Sequence, residues 1–306
     1  MPEGDTIFRA ARTLHRALAG HAVTRFETQY AHLARVHDDA PITGRLIERV
    51  DARGKHLLIW MSAPGVGNRV RGAGGRVPGA TSEAEPRHGG GALVLRTHMR
   101  MSGSWHIYRT GEPWQRSSAT ARIVIGTATF VAVAFSVPVA EFVSADGIDR
   151  DEALGRLGPD VLAEDFDPVA AAARLAASGL PTAAEALLHQ PTVAGIGNVY
   201  KSEVLFLAGV DPFAAPAAVT AAQWARIMRD ARAVMRVNVV DDASSGVVTS
   251  RGPRRTTGRS NTAQSVYVYE RTGQPCRRCG TAIRMRHHGE HNRSTYWFPT
   301  CQPSMS

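Results

Sequence analysis

The chain predicts an α+β protein in which a β-sandwich follows an amino-terminal helix and a helical half follows the sandwich. Three observations carry this. Apolar residues recur at helical spacing over Ile7, Ala10, Ala11, Leu14, Ala17 and Leu18, and Gly20 stops the run. Short β-branched runs separated by turn residues come next, and from about Asp165 the pattern turns helical. A length of 306 residues suits two domains better than one.

The strand-like runs are "HAVTRFET", "GRLIERVDARG", "KHLLIWM", "GALVLRTHM" and "ARIVIGTATFVAVAFS". Their alternation and turn spacing fit a sandwich or a barrel-like sandwich. Ser62 to Gly91 is Gly/Pro/Ala/Arg-rich and aperiodic, and reads as a mobile insertion (62–91) between two strands. The helical stretches are "PVAAAARLAAS", "TAAEALLHQ", "NVYKSEVLFLAGV" and "TAAQWARIMRDARAVMRV". A second low-complexity stretch, Asp241 to Thr262, precedes a segment holding all three cysteines. The domains expected are therefore 1–145, 146–272 and 273–303.

Hydrophobic residues make up 43% of the chain with no run of membrane-spanning length, and no signal peptide is evident. A cytoplasmic protein without a membrane partner is expected. The formal charge of +9 and pI near 10.2 favour an anionic partner, nucleic acid first. From Arg251 to Cys301 ten arginines face two acids, Glu270 and Glu290, which fits a phosphate-facing surface better than a solvated face of mixed sign. Cys276, Cys279 and Cys301 cluster in the same segment, which argues for metal rather than disulfides.

Five stretches fit one pattern. "MPEGDT" opens the chain, "RGKHLLI" sets Lys55 between a turn glycine and a strand, and "THMRMSGSW" sets Arg100, Met101 and Ser102 in a turn between strands. "HQPTVAGIGNVYKSEVL" is two helices joined by a tight glycine-bearing turn, and "NRSTYW" then "FPTC" closes the cysteine region with Arg293. In this order they resemble the formamidopyrimidine-DNA glycosylase/endonuclease VIII family, the endonuclease VIII-like branch more closely. The resemblance spans residues 2 to 301. It implies a sandwich catalytic domain at 1–145, a helix-two-turn-helix domain at 146–272 and a zinc-finger-like β-hairpin at 273–303.

The amino terminus has chemistry of its own. Removal of Met1 leaves Pro2 as a secondary amine. With an α-amino pKa of about 7.7–8.0, roughly a fifth is unprotonated at neutral pH, against under ~1% for a lysine. Condensation with a sugar aldehyde gives an iminium, whose fixed positive charge is an electron sink for eliminating phosphate. By the resemblance, Glu3 protonates the ribose oxygen as the base leaves. Lys55 contacts phosphate and donates the proton for β-elimination, and Arg293 donates in δ-elimination.

DNA contacts follow the same route. The "AGIGN" turn lets backbone amides approach a phosphate, and Asn198 adds a side-chain donor at the helix start. Arg156, in "GRLGPDVL", matches a DNA contact of endonuclease VIII. Arg100 stands where that branch has glutamine, while Met101 resembles the intercalating methionine of the formamidopyrimidine branch. An extruded base leaves a gap to be filled, and Arg100, Met101 and Ser102 form the wedge; ordinary core is the alternative for Met101.

One departure concerns the metal. The family's finger is C-x2-C, a hairpin, then C-x2-C, but here Phe298 stands at the third cysteine. A closed zinc site wants four ligands. With the hairpin kept, Cys279 faces position 298 and residue 288 lies at the tip, about 30 Å away along nine extended residues. Three outcomes stay open: a refolded hairpin bringing in His287, His288 or His291, a three-cysteine Zn2+ site, or a hairpin held by packing of Trp297 and Phe298 alone.

The reading is a monomeric bifunctional glycosylase and AP lyase of base-excision repair, acting on double-stranded damaged DNA. It removes oxidised bases, pyrimidines ahead of purines, because "SVPVAEFV" lacks the Arg-Arg-Phe-Gly stretch of the oxidised-purine branch. The alternatives are an oxidised-purine glycosylase and a non-catalytic damaged-DNA binder.

Overall fold

A computed structural model describes residues 2–63, 91–239, 254–259 and 261–304. The expected insertion at 62–91 lies almost wholly outside the described residues, as does most of the stretch from 241 to 262.

Helix α1 (Gly4–Leu18) buries the apolar stripe read from the sequence: Ile7, Ala10, Ala11, Leu14, Ala17 and Leu18 are all in the core. It packs against a sandwich of two four-stranded antiparallel sheets. The first runs β1 (Arg25–Thr28), β6 (Ala121–Gly126), β7 (Phe130–Phe135), β5 (Ser104–Arg109). The second runs β2 (Ile47–Arg53), β3 (His56–Met61), β4 (Leu93–His98), β8 (Val139–Ser144). Leu57, Ile59, Leu95, Trp105, Ile123 and Ala134 close the core between the sheets and the helix.

Register decides where the working loops lie. His56 pairs with His98 and Val139 also pairs with His98. The β2–β3 turn carrying Lys55 and the β4–β5 turn carrying Arg100, Met101 and Ser102 therefore share one end of the sandwich.

Two local expectations change. "ARIVIGTATFVAVAFS" is two strands, β6 and β7, turned at Thr127, whose hydroxyl and amide both bond Phe130. The hydroxyl supplies a turn that the apolar run conceals. Helix α2 (Ala31–Asp39) follows β1 and buries only Leu33, so its sequence shows no stripe.

The second half has its own core around Tyr200, Trp224 and Met228. A short α3 (Glu152–Gly155) leads to α4 (Pro168–Ala176), α5 (Ala183–Leu188), α6 (Asn198–Ala208) and α7 (Ala221–Val237). Asp167, Thr182 and Thr220 cap α4, α5 and α7 with side-chain oxygens, Thr220 in a reciprocal capping box with Gln223. A hairpin of β9 (Arg284–His288) and β10 (Arg293–Trp297) follows and packs on α6. Among the described residues no helix is long and apolar enough to cross a membrane.

Candidate active site

Glu3 is fully buried although it is the N-cap residue of α1. Its carboxylate accepts the backbone N–H groups of Gly197, Val199 and Tyr200 at 3.2, 2.8 and 3.3 Å, at the start of α6. The start of a helix has unpaired N–H groups and the positive end of its dipole, so an anion belongs there. Only glycine permits the approach. A Cβ on Gly197 would meet the Glu3 side chain at 2.3 Å, and one on Gly4 would meet the Gly195 carbonyl oxygen at 2.9 Å. "PEGDT" and "AGIGN" are thus two halves of one contact. Of the "AGIGN" amides expected to face a phosphate, that of Gly197 goes to Glu3, together with those of Val199 and Tyr200 in the first turn of α6.

Sequence reasoning passed over the group behind Glu3. Asp5 is 2% exposed and accepts both Nε and Nη2 of Arg254 at 3.0 and 2.9 Å, plus the Tyr200 hydroxyl at 3.0 Å. Asn238, after α7, donates to that hydroxyl at 3.0 Å. Burial pushes the Asp5 carboxyl up, but Arg254 and Tyr200 outweigh it and hold it below the usual range. Arg254 entered the sequence reading as one of ten arginines; what singles it out is an acid 249 residues away.

Lys55 stands at the tip of the β2–β3 hairpin. The neighbouring Gly54 amide donates to Asp160 Oδ2 at 2.6 Å, and Asp160 Oδ1 accepts from Leu162, so the tip is tied to the second half of the chain. Burial, with help from Arg293 and Arg254 and against the pull of Glu3, lowers the Lys55 amine to about 8. The charges of Glu3, Arg293 and Arg254 thus all act on the Lys55 amine. Pro2 is half-buried, one residue from Glu3.

The turn at 100–102 is built on a pair of histidines. His56 and His98 meet edge to face at 4.8 Å, and burial lowers them to about 3 and about 4, so both are neutral at neutral pH. His98 Nδ1 accepts the Arg100 amide at 3.0 Å, which puts the His98 proton on Nε2. Arg100 takes a left-handed φ of 49°, and Arg100, Met101 and Ser102 are all exposed. Met101 is 62% exposed, which removes the core reading of this residue. Arg156 is exposed and paired with Glu152, next to Leu157, which packs on Gly54.

Arg293 opens β10 opposite His288 and is exposed. Asn198 is 5% exposed; its Nδ2 donates to Ser294 Oγ at 3.0 Å, and its Oδ1 accepts from Lys201 Nζ at 2.7 Å. Lys201, unremarked in the sequence, is fully buried, and burial lowers its amine to about 7.

The thiols of Cys276, Cys279 and Cys301 lie within 4.8 Å of one another, with Cys279 and Cys301 3.7 Å apart. Thiolates about 2.3 Å from a tetrahedral zinc sit roughly 3.8 Å apart, so the three fit zinc. Among the described residues no fourth ligand joins them. Phe298 is 1% exposed and packs with Phe206, Val268, Ile283 and Cys276. Cys279 does not face it, because Trp297 pairs with Arg284 and Cys276 and Cys279 sit on a turn closed by Gly280 N to Cys276 O at 2.9 Å. The hairpin keeps its histidines at the far end. His287 Nδ1 meets the Asn292 carbonyl, and His288 Nδ1 meets Thr295 Oγ1 at 3.0 Å.

Packing and protein hydrogen bonds thus tie the hairpin to the helical domain beside the cysteine cluster. Strong chelation is expected to leave strand cleavage within about threefold of untreated protein while removing up to one zinc per chain by elemental analysis. Phe298→Cys should tighten zinc but lose about 3 kcal/mol of packing in the metal-free protein, measured by denaturant melts with and without chelator.

Residues 1–136 match the formamidopyrimidine-DNA glycosylase N-terminal domain, and residues 157–250 match the formamidopyrimidine-DNA glycosylase H2TH domain. The chain is 37% identical to the probable endonuclease 8 2 of Streptomyces coelicolor, over 99% of this chain and 94% of that one. It is 34% identical to a DNA-(apurinic or apyrimidinic site) lyase of Mycolicibacterium smegmatis, over 99% of both. Its fold is similar to that of Lactococcus lactis Fpg in complexes with DNA containing N7-benzyl-Fapy-dG or an abasic site. Each has a TM-score of 0.74 at 20% identity, over 99% of this chain and 100% of that one. With its two family domains in order and relatives of this closeness over the whole chain, the protein belongs to the formamidopyrimidine-DNA glycosylase/endonuclease VIII family of DNA glycosylases and AP lyases, among its endonuclease VIII-like members.

Proposed function

We propose that the chain excises oxidised pyrimidines from duplex DNA through a Pro2 Schiff base and then cleaves the strand by β,δ-elimination. The observation that carries this is the meeting of Glu3, Lys55 and Arg293 beside Pro2, on elements from three parts of the sequence. A non-catalytic binder has no need of an amine held near 8 beside a buried carboxylate.

Each residue has one task. The Pro2 amine attacks C1′ and carries the iminium. Glu3 delivers the proton to the ribose oxygen as the base departs. Lys55 passes a proton during β-elimination, and Arg293 donates toward the 3′ side in δ-elimination. Arg100, Met101 and Ser102 fill the space left by the extruded base, with Arg156 and Asn198 against the backbone. Cys276, Cys279 and Cys301 would hold a zinc ion, whose contribution is to close the turn before β9. The pyrimidine preference is supported by residues 136–143. This stretch lies beside the wedge through the pairing of Val139 with His98 and has no cation to read an opposite base.

Borohydride with a panel of lesion duplexes tests the proposal. Covalent trapping is expected on oxidised-pyrimidine and abasic duplexes, with the adduct at Pro2 by mass spectrometry. An adduct on a lysine, or equal trapping by Pro2→Gly, would refute the nucleophile; preferential trapping on oxidised purines would refute the lesion class.

Glu3→Gln separates the steps. Base removal should fall by at least ~100-fold, while cleavage at a preformed abasic site stays within about threefold. The amide also sets N–H against the helix amides, so the melting midpoint should drop by the equivalent of about 1.5–3 kcal/mol.

The rate at a preformed abasic site should follow a bell in pH. Its rising limb belongs to the Pro2 amine, for which the reference pKa is about 7.7–8.0. Its falling limb, near 8, belongs to Lys55, which donates only while protonated. Single-turnover rates of Lys55→Gln should be lower and lack the falling limb; an unchanged bell would remove Lys55 from the proton path.

A further inference from the structure

Lys201 is the one fully buried lysine among the described residues, and no step above uses it. Its ammonium donates three hydrogen bonds: to Asn198 Oδ1 at 2.7 Å, to the Ser294 carbonyl at 2.9 Å and to Thr295 Oγ1 at 2.7 Å. None of the three acceptors is an acid. Burying an ammonium against neutral acceptors is costly, and an apolar residue of similar length would pack here at less cost. A purely structural role therefore explains Lys201 poorly.

Its partners explain it better. Asn198, Lys201 and Ser202 lie on one face of α6, three and four residues apart, and each bonds to β10. Asn198 Nδ2 meets Ser294 Oγ, Lys201 meets Ser294 and Thr295, and Ser202 Oγ accepts from the Tyr296 amide at 3.4 Å. Arg293 precedes this run directly. The Lys201 amine lies close enough to Arg293 and Glu3 for both charges to act on it. The same α6 begins at the amides that hold Glu3. One ammonium thus links the strand that presents Arg293 to the helix that holds Glu3.

We propose that Lys201 is a positioning residue for δ-elimination: it fixes β10 on α6 so that Arg293 faces the Pro2–Glu3 site, and it turns the Asn198 carboxamide so that Nδ2 points to the same strand. This rests on Arg293 acting in δ-elimination. It also accounts for a family finger that lacks one cysteine, since the strand is set from the α6 side and not from the cysteine turn.

The test compares Lys201→Met, Arg293→Ala and the double variant on duplexes with a preformed abasic site, scoring β- against β,δ-products, together with borohydride trapping and base removal. Lys201→Met is expected to lower the δ-to-β ratio at least ~10-fold, with trapping and base removal within about threefold. The double variant should be no worse than Arg293→Ala, because both remove one function. Equal loss of every step, or a double variant that loses the product of the two single effects, would make Lys201 merely structural and overturn the proposal. An unchanged ratio in Lys201→Met beside a lowered one in Arg293→Ala would also overturn it. If Arg293→Ala itself leaves δ-elimination intact, the role of Arg293 fails first, and the loss is distinguishable as such. Should Lys201→Met not fold, Thr295→Val removes a single acceptor and is expected to lower the ratio about threefold; no change there overturns the proposal as well.

Discussion

The seating of Glu3 on the start of α6 is the constraint from which the site follows. A carboxylate buried at the start of α1 must find donors. They come from a helix start nearly 200 residues away. Hydrogen bonds to a charged group contribute about 1.5–3 kcal/mol each, so three of them can fix how the two halves meet. The Gly4 amide adds a bond to the Gly195 carbonyl at 2.9 Å, and the Gly54 amide reaches Asp160. All of these contacts join the amino-terminal half to the helical half beside Glu3 and Lys55, so changes that loosen the joint alter the setting of both residues.

Charge is arranged around this joint in two layers. Asp5 and Arg254 neutralise each other in the interior, where leaving either alone would cost several kcal/mol, about 3–5 by general experience. In front of them Lys55 forms no ion pair among the described residues and is lowered to about 8. Its proton can therefore be given up near neutral pH, which an ordinary surface lysine does rarely. The neutral pair His56 and His98 extends the same logic to the wedge turn. Held uncharged by burial, His98 offers Nδ1 as an acceptor and pins the Arg100 amide, which leaves Met101 standing out into solvent.

Much of this was legible along the chain because its causes are local. The α1 stripe, the four long helical stretches, the turn at 100–102 and the clustered cysteines each declare themselves by spacing. What was not legible has non-local causes. Asp5 and Arg254, or Lys201 and Thr295, are ordinary residues until the fold brings them together. Helix α2 buries a single residue, so periodicity could not mark it. Of the "AGIGN" amides recognised as an anion site, that of Gly197 meets the chain's own Glu3. A spacing rule identifies a binding feature without naming what binds.

The hairpin leans on contacts beyond its cysteine cluster. In a small finger the metal replaces the core that the chain is too short to build. Here the finger leans on a helical domain that has a core, and Phe298 sits where it touches Phe206 of α6. Gln302 continues the seam, donating to the Val210 carbonyl at 2.8 Å and accepting from the Phe298 amide at 2.9 Å. Toward the tip His288 meets Phe213 edge to face at 5.2 Å, and at the open end Trp297 meets the same ring at 4.8 Å. Once such contacts exist on both sides of β10, a fourth thiolate adds little to the placement of Arg293. Exchanging it for a buried aromatic strengthens the packing on α6, the helix whose start holds Glu3.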